Sequence, residues 1–159
     1  MKFWKRRSKM EKKNDDFQKA LNYAKRLIRF RSRSRKEMEE KLILKGFHQD
    51  IIQRILELLE KSGYVDDEKF AYLYAYDMLT VHGYGPYRIK SKLKELKVED
   101  YIIDDALERI MKEVDLFQIM EKTVKLHRID RKKIGDFLYR RGFPGELIRM
   151  FDIEGGANR

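Results

Sequence analysis

Cysteine is absent from the 159 residues, which excludes a disulfide framework and a thiolate zinc site. Only two prolines occur, so long stretches contain nothing that would interrupt a helix. No apolar run approaches the roughly 20 residues that a bilayer-spanning helix requires. The basic start at residues 1–7 has no apolar stretch behind it to make a secretory signal, so the expected location is cytoplasmic, with no membrane partner. His48, His82 and His127 are scattered, with no second ligand at helical spacing, and neither a metal nor another cofactor is expected. There is no Gly-x-Ser-x-Gly elbow and no Walker loop. Asp66-Asp67-Glu68 falls at a helix start, where capping and dipole complementarity account for three carboxylates better than a metal does. With no catalytic constellation in sight, the expectation is a protein that binds, not an enzyme.

What the chain has in excess is positive charge, +10 at neutral pH, on a composition 42% hydrophobic and 40% charged. That is too apolar for a disordered chain. Such a surface attracts polyanions, although a basic surface also serves solubility alone, so the placement of the charge matters more than its sum.

Laying the chain on itself shows an internal triplication. A shift of 51 residues carries Ser34 onto Gly85, and a further 45 carries it onto Asp130. In that register Met38, Ile89 and Ile134 coincide, as do Leu42, Leu93 and Leu138; Phe47, Val98 and Phe143; and Ile52, Ile103 and Ile148. Each unit reads as three short helices with apolar residues at three- and four-residue steps. The expected organisation is all-α: a flexible basic arm at 1–16, three-helix repeats at 17–64, 65–113 and 114–153, and a frayed tail at 154–159. Stacked with a regular rotation, such repeats make an elongated, curved array. Ser34 with Glu37, Gly85 with Pro86, and Asp130 are three different start signals for the second helix of each repeat. Asp15 and Asp66 align at the head of the first helix, whereas Met111 breaks the pattern in the third unit. In the last repeat the second helix is expected over 132–141 and the third as a short piece over 147–151.

By segment the charge is +4 for the arm, then +6, −3 and +3 for the three repeats, with a neutral tail. Seven basic residues and no acid lie between Lys25 and Lys36, and further clusters recur near the second helix of each unit. Cations in a first helical turn oppose the dipole by roughly 0.3–1 kcal/mol each, and helix N-termini beside cations suit phosphate. The expected contact residues for a nucleic acid or an acidic protein are Arg31, Arg33, Arg35, Lys36, Arg88, Lys92, Lys132, Arg140 and Arg141. A solvated face without a partner remains the bland alternative. Tyr84 and Tyr87, in the loop His82-Gly-Tyr-Gly-Pro-Tyr87, either stack on a partner or pack between repeats.

Four blocks in order resemble the RecX family. They are the stretch from Arg31 to Phe47 ending Lys-Gly-Phe; Gly63-Tyr-Val-Asp-Asp-Glu-Lys-Phe-Ala71; Gly83-Tyr-Gly-Pro-Tyr-Arg-Ile89 followed by Lys92-Leu-Lys-Glu-Leu96; and Asp136-Phe-Leu-Tyr-Arg-Arg-Gly-Phe143. Together they cover roughly residues 17 to 151. The resemblance implies a three-helix-repeat regulator that binds RecA filaments and modulates their growth, ATP hydrolysis and strand exchange. It implies no catalytic residues and DNA binding of its own; the expected partners are the RecA filament and single-stranded DNA, with double-stranded DNA as a further candidate, and the expected state is a monomer. Lys97 departs from the family, which carries glycine after that helix. Arg31→Glu with Arg35→Glu is expected to abolish inhibition and leave the fold intact. Two other readings stay open from the residues alone. One is a DNA-binding protein of the helix-turn-helix kind, and the other an interaction scaffold with a solvated basic face.

Overall fold

The structure, a computed structural model, describes residues 8–157, with side chains through residue 153. The described residues form helices and their connections, with no strand among them. In chain order these are α1 (Lys9–Phe30), α2 (Arg35–Lys45), α3 (Gln49–Lys61), α4 (Asp67–Thr80), α5 (Pro86–Glu95), α6 (Asp100–Glu113), α7 (Leu116–Leu126), α8 (Ile134–Arg140) and α9 (Gly145–Ala157). A single 3-10 turn at Arg131–Lys133 leads into α8.

The chain divides at Asp67/Glu68 into two compact units. In the first, Ala20 and Ala24 of α1 bring that helix close against Met38 and Leu42 of α2 and against Ile52, Ile55 and Leu56 of α3, all buried. In the second, one continuous core runs from Ala71 and Ala75 through Ile89, Leu93, Ile103 and Ile110 to Met120, Leu138 and Phe143. The second and third repeats therefore share a core, and the first repeat closes its own.

The register read from the sequence holds at the buried positions. Leu42, Leu93 and Leu138 are each fully buried, and so are Ala24, Ala75 and Met120 at another equivalent site. The helix starts are what moved. Ser8, not Asp15, caps α1, with its hydroxyl accepting the Glu11 N–H at 3.1 Å and Glu11 reaching back to the Ser8 N–H at 2.9 Å. Residues 9–16 are therefore helix where a flexible arm was expected, and the arm's residues 1–7 lie outside the described ones. In the third repeat the cap is Asp115, four residues after Met111, accepting the N–H groups of Phe117 and Gln118. Displacements of seven and four residues are close to two turns and one turn of helix, so α1 grows and α7 shrinks without rotating the buried face. Asp130 stands at the head of the 3-10 turn, but its side chain makes no capping hydrogen bond there, and its carbonyl accepts the Lys133 N–H instead. The last helix extends well beyond the short piece expected, and the tail up to Ala157 continues it.

Each second helix ends in the same left-handed turn. Gly46, Lys97 and Gly142, equivalent in the repeat register, have φ of 93°, 64° and 93°. The turn thus survives at Lys97 without its glycine, at a cost of roughly 1–2 kcal/mol for an L-residue. Lys97→Gly is expected to raise stability by about 1 kcal/mol, read as a later urea midpoint with an unchanged slope; an unchanged midpoint would show that the turn carries no strain.

Candidate polyanion interface

At the start of α5 the structure gathers Tyr84 and Tyr87 with two of the expected contact arginines, Arg88 of α5 and Arg141 from the end of α8. The amide groups at the head of α5 have no partners within their own helix, and neither do the carbonyls at the tail of α8. The fold joins these two deficits. Gly85 N–H donates to the Arg141 carbonyl at 2.7 Å and Tyr87 N–H to the Gly142 carbonyl at 3.0 Å. The Arg141 side chain returns the exchange, donating through Nε to the Gly83 carbonyl at 2.9 Å and through Nη2 to that of His82. Its guanidinium carbon lies 4.6 Å from the Tyr84 ring centroid, and that of Arg88 lies 4.1 Å from the same ring. Partial burial is the main reason the Arg141 guanidinium has its pKa lowered from the ordinary value. Tyr84 is half-buried between the two arginines, whereas Tyr87 is exposed. Arg141 is thus a clasp between the second and third repeats, committed to backbone carbonyls.

The Arg/Ser-rich turn of the first repeat is equally committed. Ser34 caps α2 through Glu37 N–H at 3.1 Å, and the Glu37 carboxylate accepts from both Arg31 and Arg33, the latter at 2.9 Å. Arg33 is only 7% exposed, and its Nε has no partner, so it is not presented to a polyanion in this structure. The first-turn cation Arg35 is held by Glu60 at 2.7 Å and Gln53 at 3.2 Å. Its backbone N–H donates to Asp67 Oδ1 at 2.8 Å, which brings a carboxylate to the head of α2 and offsets the unfavourable cations there. Burial is the largest cause of the raised pKa of Asp67. Lys36 bonds Glu39 at 2.8 Å, which raises the lysine pKa and lowers that of the glutamate. Lys92 bonds Glu95 at 2.9 Å. Reversing the charge of Arg31 and Arg35 would set new carboxylates against Glu37 and Glu60, so the expectation of an intact fold for that pair does not fit this geometry.

Of the nine sequence candidates, Lys132 and Arg140 are exposed and make no ion pair among the described residues; Arg88, also exposed, leans on Tyr84. The cations missed are Lys25, Arg26 and Arg29 of α1 together with Lys45, all exposed and likewise without an acid among the described residues. The signal for them was in the sequence. None of the three on α1 has an acid three or four residues away, whereas Arg33 has Glu37, Lys36 has Glu39 and Lys92 has Glu95.

Among the described residues no group of three metal-ligating side chains converges, and no helix is long and apolar enough to cross a membrane. A family profile described as "RecX, first three-helix domain" matches residues 20–59, and one described as "RecX, second three-helix domain" matches residues 66–107. Over 155 residues the chain is 39% identical to the regulatory protein RecX of Thermotoga maritima, covering 96% of each protein. It is 30% identical over 141 residues to the regulatory protein RecX of Prosthecochloris aestuarii, covering 86% of this chain and 93% of that protein. The crystal structure of RecX from Lactobacillus salivarius superposes with a TM-score of 0.76 at 27% identity, covering 89% of this chain and 97% of that one.

Proposed function

The chain belongs to the RecX family of regulatory proteins, and from that premise we propose that it regulates the RecA recombinase without catalysis of its own. It binds the RecA–DNA filament and restrains its growth, ATP hydrolysis and strand exchange. The observation that supports this reading is the family match along nearly the whole chain, joined to exposed, unpaired cations in both compact units. Several weak basic contacts on one chain give avidity without a single tight pocket. Binding across neighbouring protomers would favour one state of the filament over others. Of the residues singled out from the sequence, Lys132, Arg140 and Arg88 remain the contacts we propose in the second unit, because their charges are exposed.

The test is a titration into RecA assembled on single-stranded DNA at about 0.15 M salt, where the Debye length is roughly 8 Å. Inhibition of ATP hydrolysis and shorter filaments are expected at a ratio well below one protein per RecA. Lys132→Gln with Arg140→Gln should shift the half-inhibitory concentration upward by about tenfold, in line with losing two charged contacts of roughly 0.7 kcal/mol each. No change in hydrolysis or filament length at equimolar protein would overturn the filament reading and favour direct action on DNA.

A further inference from the structure

A cleft in the first unit runs between α1 and α3 and encloses about 500 Å³. Leu59 is buried at its floor, Leu21 and Ile28 are half-buried on the α1 side, and Leu58 and Tyr64 stay 40% and 63% exposed at its edge. Lys25 and Arg29, one turn apart on α1, are the charged residues that line it, and neither makes an ion pair among the described residues. Leu21, Lys25 and Arg29 follow one another at four-residue steps, so the α1 wall is apolar at one end and cationic at the other.

The second repeat builds the equivalent pair of helices and fills the equivalent place. In the register of 51 residues, Leu21, Lys25, Leu58 and Ser62 correspond to Tyr72, Tyr76, Arg109 and Glu113. There the Tyr72 hydroxyl donates to Glu113 at 2.5 Å, and the Arg109 guanidinium carbon lies 4.9 Å from the Tyr72 ring centroid. Tyr76 stacks on Tyr72 with centroids 6.2 Å apart. Side chains of α4 and α6 thus bridge that seam from both sides. The first unit has none of these four residues at the matching positions, and it leaves in water apolar surface that the second repeat covers.

We propose that this cleft is a binding site for a medium-chain fatty acid anion. The alkyl chain lies along Leu21, Ile28, Leu58 and Leu59, and the carboxylate meets Lys25 and Arg29. The volume falls among small-molecule sites, which typically measure roughly 300–1,000 Å³ and are mostly apolar with a few placed polar groups. Charge decides the head group. A neutral chain would leave the two cations without a counter-charge, and an inorganic anion would leave the leucines wet. A guanidinium also takes a carboxylate through two parallel hydrogen bonds. Occupied, the cleft removes Lys25 and Arg29 from the charge that the first unit presents to polyanions, so the ligand weakens that attraction.

The test is isothermal titration calorimetry of the full chain with laurate below its micelle concentration, with RecA and DNA absent. One laurate per chain is expected, and each two carbons removed from the acid should lower affinity at least about fivefold, as burial of methylene groups predicts. Lys25→Gln with Arg29→Gln should weaken laurate more than about fivefold and leave dodecanol, the neutral chain of equal length, unchanged. Leu21→Tyr, Leu58→Arg and Ser62→Glu together install the bridge of the second repeat and should weaken both ligands more than about tenfold. Circular dichroism checks that the variants stay folded, and Lys25 and Arg29 are exposed positions that keep the test open should the bridge disturb packing. Absence of saturable laurate binding overturns the proposal, and so does binding that both sets of substitutions leave unchanged. Equal weakening of laurate and dodecanol by the two glutamines overturns the assignment to an anion. Binding to phosphatidylglycerol vesicles without binding to free laurate assigns the cleft to a membrane surface, and binding of an acidic amphipathic peptide without laurate assigns it to protein; either result overturns the fatty-acid reading. Because RecA is absent, failure here leaves the filament reading standing, and failure of the filament reading leaves this one intact.

Discussion

Gly142→Ala is expected to unfold the second unit under conditions where the first stays folded. Two independent penalties meet at this position. Its φ of +93° is left-handed, which costs an alanine roughly 1–2 kcal/mol. A Cβ there would also lie 2.5 Å from the Arg88 backbone nitrogen and 3.0 Å from its Cα, at the head of α5. That neighbour is backbone, already fixed by the Gly85-to-Arg141 and Tyr87-to-Gly142 hydrogen bonds, and it cannot rotate away as a side-chain tip would. The approach is close from both sides, since a Cβ on Gly85 would meet the Gly142 carbonyl carbon at 2.3 Å. Relieving the clash means opening the clasp, and with it the shared core of the second and third repeats. We expect a loss of at least about 3 kcal/mol, which combines the strain with the 1–3 kcal/mol typical of overpacking. Gly46→Ala is the matched control, with the same φ of +93° and no atom within 4 Å of its added Cβ. It should cost only about 1–2 kcal/mol. Hydrogen exchange read residue by residue separates the outcomes: in Gly142→Ala the amides of α5 and α8 should lose protection while those of α3 keep it. Equal costs at Gly46 and Gly142 would show that the close approach to Arg88 does not hold the repeats together.

Glu37→Ala is the second large effect, and it tests the claim that the Arg/Ser-rich turn is structural. Removing this carboxylate strips the partner from Arg31 and from the buried Arg33, whose side chain is 8% exposed beside a Glu37 side chain 13% exposed. Breaking a buried pair from one side typically costs 3–5 kcal/mol, because the remaining charge is left desolvated. We expect about 3 kcal/mol, since Arg31 at the outer edge is exposed and can rehydrate. Arg33→Met should be far milder, within about 1 kcal/mol of the parent, because it removes the buried charge together with the unpartnered Nε. The double variant should recover most of what Glu37→Ala loses, and a double-mutant cycle from urea melts gives that coupling directly. Additive losses would mean that Arg33 and Glu37 do not act as a pair.

Both predictions bear on arginines, Arg141 and Arg33, that the sequence marked as contact candidates and that the structure ties into packing. Arg33 pairs with an acid four residues on, and Lys36 and Lys92 with acids three residues on, all within reach of a helical count. Arg35 meets Glu60 and Asp67 from 25 and 32 positions away, and Arg141 meets Gly83 and His82 from 58 and 59. Nothing local to Arg141 distinguishes it from a free surface cation, and the acid four residues after Arg35, Glu39, is not the one that forms its ion pair.

The sequence by itself determined the helical class and the threefold register. Each depends on side-chain periodicity within a few residues, and that survives the lengthening of α1 and the shortening of α7 by near-whole turns. The tertiary structure alone decided that the second and third repeats close over one core while the first closes its own. It also decided that the accessible charge of the first unit gathers on α1, while Arg35 is held by residues far along the chain. Charge acts through space, so the net freedom of a cation depends on which distant carboxylates and carbonyls folding brings to it, and that is fixed only when the helices pack.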